Sequence, residues 1–325
     1  MRILYLPNSY CQQRQLEKPN FLAYPVRLAM EATYERDILK NEVYWDKPEM
    51  MSDITHWRSS IMGYNFLKLP HPDRVWTDAK NKKYQRNGNF KYHPGTYIQS
   101  ASGCWWGKCE FCVEKGQKYE VRPVEDVIQE IEEIKSQGYR ECFDDSATFP
   151  VGNWSDSFCG GLIERRNKLV LGCNMRIVNA DFLQMKAAGF RMLLFGLESA
   201  NEKTLNRINK GVKVENIIPT IKKASEAGID VHTAWMFGYP WETDRDSIRS
   251  LNLCHYLLRR GYSKTAQASF YCPKDGEGNE TQRKYVRKIY EVAYSPQFWF
   301  NQIRDIKNKD DLKYLWRKIK AAIYG

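Results

Sequence analysis

Two rhythms of apolar and polar positions alternate between about residues 97 and 272. Short β-type runs lie at 97–101 (YIQSA), 140–144 (RECFD), 169–174 (LVLGCN), 191–197 (RMLLFGL), 230–237 (DVHTAWMF) and 265–271 (TAQASFY), with stretches of helical spacing between them. In the first such stretch Val124, Val127, Ile128, Ile131 and Ile134 recur with carboxylates between them, and Gly138 stops the pattern. Further helices are predicted over 154–166, 180–188, 214–227 and 243–260, the last three followed by Gly189, Gly228 and Gly261 at C′ positions. These six strand-helix units predict an α/β fold with a parallel sheet. They are too few to close an eight-stranded barrel, so an open, partial barrel or a doubly wound sheet is expected, with ligands at the C-terminal ends of the strands.

Flanking segments are less regular. MRILYLP reads as a strand, 22–39 as a helix, and 64–92 is rich in Pro, Asn and Lys, whereas 281–325 is basic, aromatic and helix-like. The expected division is an accessory segment over 1–95, a core over 96–275 and a helical extension over 276–325. Hydrophobic residues at 42% and charged residues at 27% fit a globular chain. No apolar run reaches the roughly 18 to 20 residues of a membrane span, and MRILYLPNSY is too short and too quickly polar for a signal peptide, so a cytoplasmic protein without a membrane partner is expected.

Fifty Lys and Arg against 39 Asp and Glu give a formal charge of +11. That excess favours an anionic partner, either nucleic acid or an acidic redox protein, unless the basic surface serves solubility alone. Basic stretches with interleaved aromatics at 80–91 (AKNKKYQRNGNF) and 282–288 (QRKYVRK) are the first nucleic-acid candidates.

Nine cysteines stand at 11, 104, 109, 112, 142, 159, 173, 254 and 272. Without an export signal these are expected to be reduced thiols. Cys104, Cys109 and Cys112, spaced x4 then x2 in SASGCWWGKCEFC, follow the first core strand in a loop that can converge them on a soft metal, as structural zinc or as an iron-sulfur cluster. A zinc site normally takes four protein ligands, and no second CxxC or paired His lies nearby. A four-iron cluster on three cysteines leaves one iron open for a small molecule. Cys142, Cys159, Cys173 and Cys254 read as core residues, while Cys272 sits at a strand end that would face the opening.

With the cysteine loop and the six units in view, the chain resembles the radical S-adenosylmethionine (SAM) superfamily over roughly residues 64–300. The usual spacing there is x3 then x2, so one extra residue separates Cys104 from Cys109. LKLPHPDR, FDDSATF, GCNMR, MKAAGF, FGLESANEKTLNRINKG, MFGYPWET and KYVRKIYEVAYSPQFWFNQI resemble the branch containing cobalamin-binding radical enzymes and methylthiotransferases.

The resemblance implies a partial (β/α)6 barrel of radical SAM type, with the short N-terminal accessory segment and helical C-terminal extension. It also implies a [4Fe-4S] cluster, S-adenosylmethionine, a flavodoxin or ferredoxin as reductant, and a 5′-deoxyadenosyl radical that abstracts hydrogen from a substrate. The charge of +11 and the aromatic basic stretches suggest a nucleic-acid base or nucleotide as that substrate, with a small metabolite or peptide as the other candidate.

Polar residues at the strand ends make candidate cofactor contacts. Asp144, Asp145 and Ser146 would face the amino group, Asn174 would share the rim, and Arg176 would hold the methionyl carboxylate by its fork. Glu198 and Ser199 would bind ribose or the amino group, and Phe237, Gly238, Tyr239 and Pro240 would flank adenine. Bland roles stand beside each: a salt bridge for Arg176, a helix N-terminal carboxylate for Glu198, turn capping for Asp144 and Asp145, a tight turn at Gly238 and Pro240, and loop packing for Trp105, Trp106 and Phe111.

A cobalamin-dependent methyltransferase acting on a metabolite or peptide is the alternative, although no Asp-x-His-x-x-Gly loop occurs and about 95 residues are few for a complete cobalamin domain. MRILYLPNSY resembles the first strand of such a domain, which would make 1–95 a degenerate remnant. The absence of a second cysteine trio argues against sulfur insertion from an auxiliary cluster. The rival of another class is a non-enzymatic iron-sulfur or zinc protein that binds nucleic acid through its basic face.

Overall fold

A computed structural model describes residues 2–5, 26–45, 56–58, 64–85, 90–271 and 278–324. Cys11, Cys272 and residues 86–89 of the first basic stretch lie outside the described residues. Packing divides the chain into two compact units, 1–102 with 120–146, and 103–119 with 147–325.

The first unit opens on a parallel three-stranded sheet. Strands β1 (Arg2–Tyr5), β2 (Glu42–Trp45) and β3 (His56–Arg58) run in the order β2-β1-β3, with α1 (Val26–Asp37) connecting β1 to β2 and burying Leu28, Ala29, Met30 and Ala32. The short α2 (Lys82–Gln85) precedes β4 (Gly95–Ile98); a two-stranded antiparallel pair, β5 (Ala101–Ser102) with β6 (Glu120–Val121), follows. Helix α3 (Val124–Ser136) then buries Val127, Ile128, Ile131 and Ile134 on one face, as the spacing predicts, and Gly138 closes it at φ +78°. Strand β7 (Glu141–Asp144) returns parallel to β4, pairing Gly95 with Glu141 through Ile98 with Asp144.

Buried charge fastens α3 within this unit. Arg74, from LKLPHPDR, and Arg122 each bond one carboxylate oxygen of the fully buried Glu130. Arg122 Nε also donates to Asp126 at 2.6 Å, and His71 bridges Asp126 at 3.2 Å and Glu133 at 2.9 Å.

The second unit carries parallel strands β8 (Val170–Met175), β9 (Phe190–Glu198), β10 (Asp230–Phe237) and β11 (Thr265–Phe270). Helices α4 (Asn153–Glu164), α5 (Phe182–Ala187), α6 (Glu202–Arg207), α7 (Ile217–Glu226) and α8 (Asp244–Arg259) lie among them, and α9 (Lys284–Lys288), α10 (Pro296–Arg304) and α11 (Lys309–Tyr324) follow. Hydrogen-bonded order along the six-stranded sheet is β11-β10-β9-β8-β7-β4. The fold is α/β with a six-stranded parallel sheet and helices between the strands, as the sequence pattern predicts.

Differences from the sequence reading are local. The first core strand starts at Gly95 and ends at Ile98, two residues early at the start and three at the end, and a 3₁₀ turn over Val214–Asn216 precedes α7. The segment 281–325 is helical as expected; Tyr285, Ile289 and Val292 are buried as α9 and the next turn pack near α8 and β11. Among the described residues no helix is long and apolar enough to cross a membrane.

Candidate active site

Cys104, Cys109 and Cys112 occupy a loop of the second unit whose backbone is fastened at several points. Cys112 N donates to Cys109 O at 3.2 Å, and Gly116 N to Gly107 O at 3.0 Å. Gly103 at φ +70° lets the chain pass the Lys118 carbonyl, which a Cβ would approach to 2.4 Å.

Two consecutive carbonyls of the segment after α6 receive this loop, and the next one receives Arg176. Ile208 O accepts from Glu110 N at 2.9 Å, Asn209 O from Trp106 Nε1 at 2.7 Å, and Lys210 O from an Arg176 guanidinium nitrogen. Asn209 at φ +54° and Gly211 at φ +65° turn the segment so that successive carbonyls are presented. Gly211 also makes space for the indole: a Cβ there would lie 2.1 Å from Trp106 Cζ2.

Arg176, one residue beyond β8, is buried between the two tryptophans, its guanidinium carbon 5.3 Å from the Trp105 ring centre and 4.9 Å from that of Trp106. Its Nη1 points at Cys109 Sγ, 3.7 Å away, and its Nε has no hydrogen-bond partner among the described residues. The fork expected to hold a methionyl carboxylate is thus divided between a cysteine sulfur and a backbone carbonyl.

A register shift in the β9–β10 pairing, which moves from Ala234↔Gly196 to Trp235↔Glu198, precedes Glu198, which adopts φ +64°. Such an irregularity re-aims the following side chain. Glu198 pairs with buried Lys210 at 2.8 Å, and Gly196 leaves room for the pair, since its Cβ would fall 2.7 Å from Glu198 Oε1. Ser199 turns away into a buried network. Its hydroxyl donates to Glu242 Oε1 at 2.9 Å, an oxygen that also accepts from Thr204 at 2.6 Å and Asn201 at 3.0 Å. Burial pushes the Glu242 carboxyl up against the opposing effect of these donors, and its Oε2 is unpartnered among the described residues.

Strand alternation separates the residues expected around adenine. Phe237 is buried together with Val231, Thr233 and Trp235, and its ring stacks on Tyr285 at 6.0 Å, within the core. Gly238, at φ +95°, faces Phe270, where a Cβ would come within 2.2 Å; Pro240 is exposed. Tyr239 is fully buried between Trp241 and Tyr271, with its hydroxyl unpartnered among the described residues. Burial raises its pKa well above the usual value, and the carboxylates of Glu198 and Glu242 add to the effect.

In the first unit Asp144 accepts from the hydroxyls of Ser100 and Ser146 and, at 2.9 Å, from Ser146 N, while Ser146 Oγ accepts from Ala101 N at 2.9 Å. Burial raises the Asp144 pKa, opposed by these donors. These contacts are those of a turn cap that ties the ends of β4 and β7. Asp145 N donates to Ile98 O, and half-buried Asn174 of the second unit accepts from Phe149 N through its carbonyl.

Of the remaining cysteines, Cys142, Cys159, Cys173 and Cys254 are buried, as expected of core residues. The aromatics of the basic stretches are core residues too: Tyr84, Phe90 and Tyr285 are buried, while Lys284 pairs with Asp244 and Arg283 with Glu280. Rings held this way cannot stack on bases. Sequence reasoning passed over Lys210 and Glu242, although INKG and PWET carried both; the Asn-Lys-Gly turn was the signal for Lys210.

Whether these residues suit a cluster is tested by their surroundings. Burial raises the Cys112 pKa, and the neighbouring Cys109 and Cys104 add to it, a repulsion that bound iron would relieve. Trp105 Nε1, Arg176 Nε and the Tyr239 hydroxyl are buried donors without partners among the described residues. Buried hydrogen-bond donors of this kind suit an iron-sulfur group, which accepts hydrogen bonds on sulfur.

Residues 98–254 match the Radical SAM superfamily profile. A Methanocaldococcus jannaschii protein classed by name as a methylthiotransferase is 28% identical over 186 residues, 53% of this chain and 39% of that protein. The ribosomal protein uS12 methylthiotransferase RimO of Caldanaerobacter subterraneus subsp. tengcongensis is 23% identical over 281 residues, 81% of this chain and 62% of that protein. The chain thus spans less than two thirds of the length of the curated relatives it matches. A solved structure of the cobalamin-dependent S-adenosylmethionine radical enzyme OxsB, with aqua-cobalamin bound, superposes with a TM-score of 0.51 at 16% identity, covering 91% of this chain and 43% of that one.

Proposed function

We propose, from the match of residues 98–254 to the Radical SAM superfamily, that Cys104, Cys109 and Cys112 hold the [4Fe-4S] cluster that family uses, beside S-adenosylmethionine. Bound there, the pair supplies one-electron cleavage of the sulfonium to a 5′-deoxyadenosyl radical that takes hydrogen from the substrate. The observation that supports this reading is the docked loop, in which Arg176 Nη1 is directed at Cys109 Sγ, 3.7 Å away. Glu198, held by Lys210, and the Gly238–Tyr239 turn are the residues we assign to S-adenosylmethionine.

The substrate we favour is a small metabolite or a protein side chain, since the rings that suggested a polynucleotide are buried. A low-potential electron donor is required, and an acidic flavodoxin or ferredoxin suits a chain of charge +11. The test is anaerobic reconstitution with iron and sulfide, addition of dithionite and S-adenosylmethionine, and measurement of 5′-deoxyadenosine. Product should form in the wild type and be absent in Cys109→Ala. No product from a verified cluster overturns the reading.

A second reading has its own observation. The β2-β1-β3 order with a connecting helix is the opening of a doubly wound sheet, which supports residues 1–95 as an accessory segment related to a cobalamin domain and the chain as a methyltransferase. Stoichiometric cobalt in protein made with added cobalamin would support it; its absence would retire it.

A further inference from the structure

We infer that Arg176 acts on the cluster rather than on the substrate side of the site: stacked between Trp105 and Trp106, it directs its charge at Cys109 and thereby raises the cluster's reduction potential. This inference rests on the reading that the three cysteines hold a cluster.

The geometry of the guanidinium carries the argument. A carboxylate is gripped by two parallel N–H donors on one edge of the fork. Here Nη2 is committed to the Lys210 carbonyl and Nη1 is directed at Cys109 Sγ, 3.7 Å away, so the end-on edge of the fork is taken up and Nε alone has no partner among the described residues. The two indoles, at 5.3 and 4.9 Å, hold the plane in that orientation and keep water from it. Trp106 is itself fixed by its bond to Asn209 O, and the space for it depends on Gly211. The additional residue between Cys104 and Cys109 thus falls in the stretch that supplies the clamp.

Reduction adds one electron to the cluster, delivered by a low-potential donor, so its net charge becomes more negative by one. A cation fixed against a ligand sulfur stabilises the reduced form more than the oxidised form. Hydrogen bonds to the sulfurs and exclusion of solvent are among the factors that set such potentials.

The experiment is an EPR-monitored redox titration of the reconstituted wild type, Arg176→Gln and Arg176→Lys, with iron content and S-adenosylmethionine affinity measured in parallel. Arg176→Gln should disfavour reduction about tenfold, a potential lower by about 59 mV for one electron. Arg176→Lys, which keeps the charge but loses the fork, should shift the same way by less. If Arg176→Gln fails to retain iron, the lysine variant carries the test: a lowered potential supports the inference, an unchanged one overturns it. A potential equal to that of the wild type, with S-adenosylmethionine binding weakened instead, would make Arg176 a carboxylate ligand and overturn the inference alone. A wild type that takes up no cluster overturns the parent reading and this inference together.

Discussion

Gly211→Ala is the sharpest test of how the cysteine loop is held. The new methyl group would sit 2.1 Å from Trp106 Cζ2 and 2.3 Å from Cη2, and the backbone at φ +65° is unfavourable for any residue with a Cβ. The backbone term costs roughly 1–2 kcal/mol. Overpacking of a well-filled site adds about 1–3 kcal/mol. Against this, the bonds to Ile208 O and Asn209 O contribute roughly 1 kcal/mol each. The strain therefore equals or exceeds what these bonds contribute, and the loop should lift from the segment.

Iron per chain after anaerobic reconstitution and desalting should fall well below that of the wild type, and the melting temperature should drop. Trp106→Ala in the same chain removes the clash, so the double variant should lose less stability than the two single losses added together, with a coupling of about 1–3 kcal/mol. Full iron retention and an unchanged melt in Gly211→Ala would refute the docking argument.

Other perturbations follow from buried charge. Glu198→Gln leaves the Lys210 ammonium buried without its carboxylate and should cost roughly 3–5 kcal/mol in a denaturant melt; Lys210→Met in the same chain should recover most of it, and equal losses in both would count against the pair. Although burial opposes it, Arg122 and Arg74 hold the Glu130 carboxyl down at about 2, so its stabilisation is present above the ordinary carboxylate value and is lost as pH falls through about 2. Arg74→Met should shift acid unfolding, followed by circular dichroism, to higher pH, and no shift would refute the assignment. In the same network burial lowers the His71 pKa, but Asp126, Glu130 and Glu133 outweigh it and raise the value. Its contribution is therefore present below about 6.5 and is lost on the alkaline side.

Much of the pattern was legible because burial writes itself into the sequence: Val231, Thr233, Trp235 and Phe237 alternate in β10, β9 is buried at nearly every position and reads as an apolar run, and Val127, Ile128, Ile131 and Ile134 follow a helix. The cysteine trio was legible because its three members are close in sequence. The direction of side chains at strand ends was not. Phe237 belongs to the buried alternation of β10, and Ser199 and Asp144 answer to Glu242, Ser100 and Ser146. These partners stand 43 residues from Ser199 and 44 from Asp144 in the case of Ser100, so no local pattern announces them. Lys210 escaped notice for the same reason: its role is set by a turn with two positive-φ residues, Asn209 and Gly211.

The antiparallel pair of Ala101–Ser102 with Glu120–Val121 forms a neck through which the chain leaves for residues 103–119 and returns. For a closed excursion the entropy of bringing the ends together grows only with the logarithm of its length. Going from 16 to 17 residues costs on the order of 0.05 kcal/mol, far below thermal energy. Insertion of one residue between the first two cysteines is thus nearly silent for folding. Length within the loop is free to drift, provided the neck closes it and the carbonyls of Ile208 and Asn209 receive it. In this chain the held ends of the excursion, rather than its length, are what folding specifies.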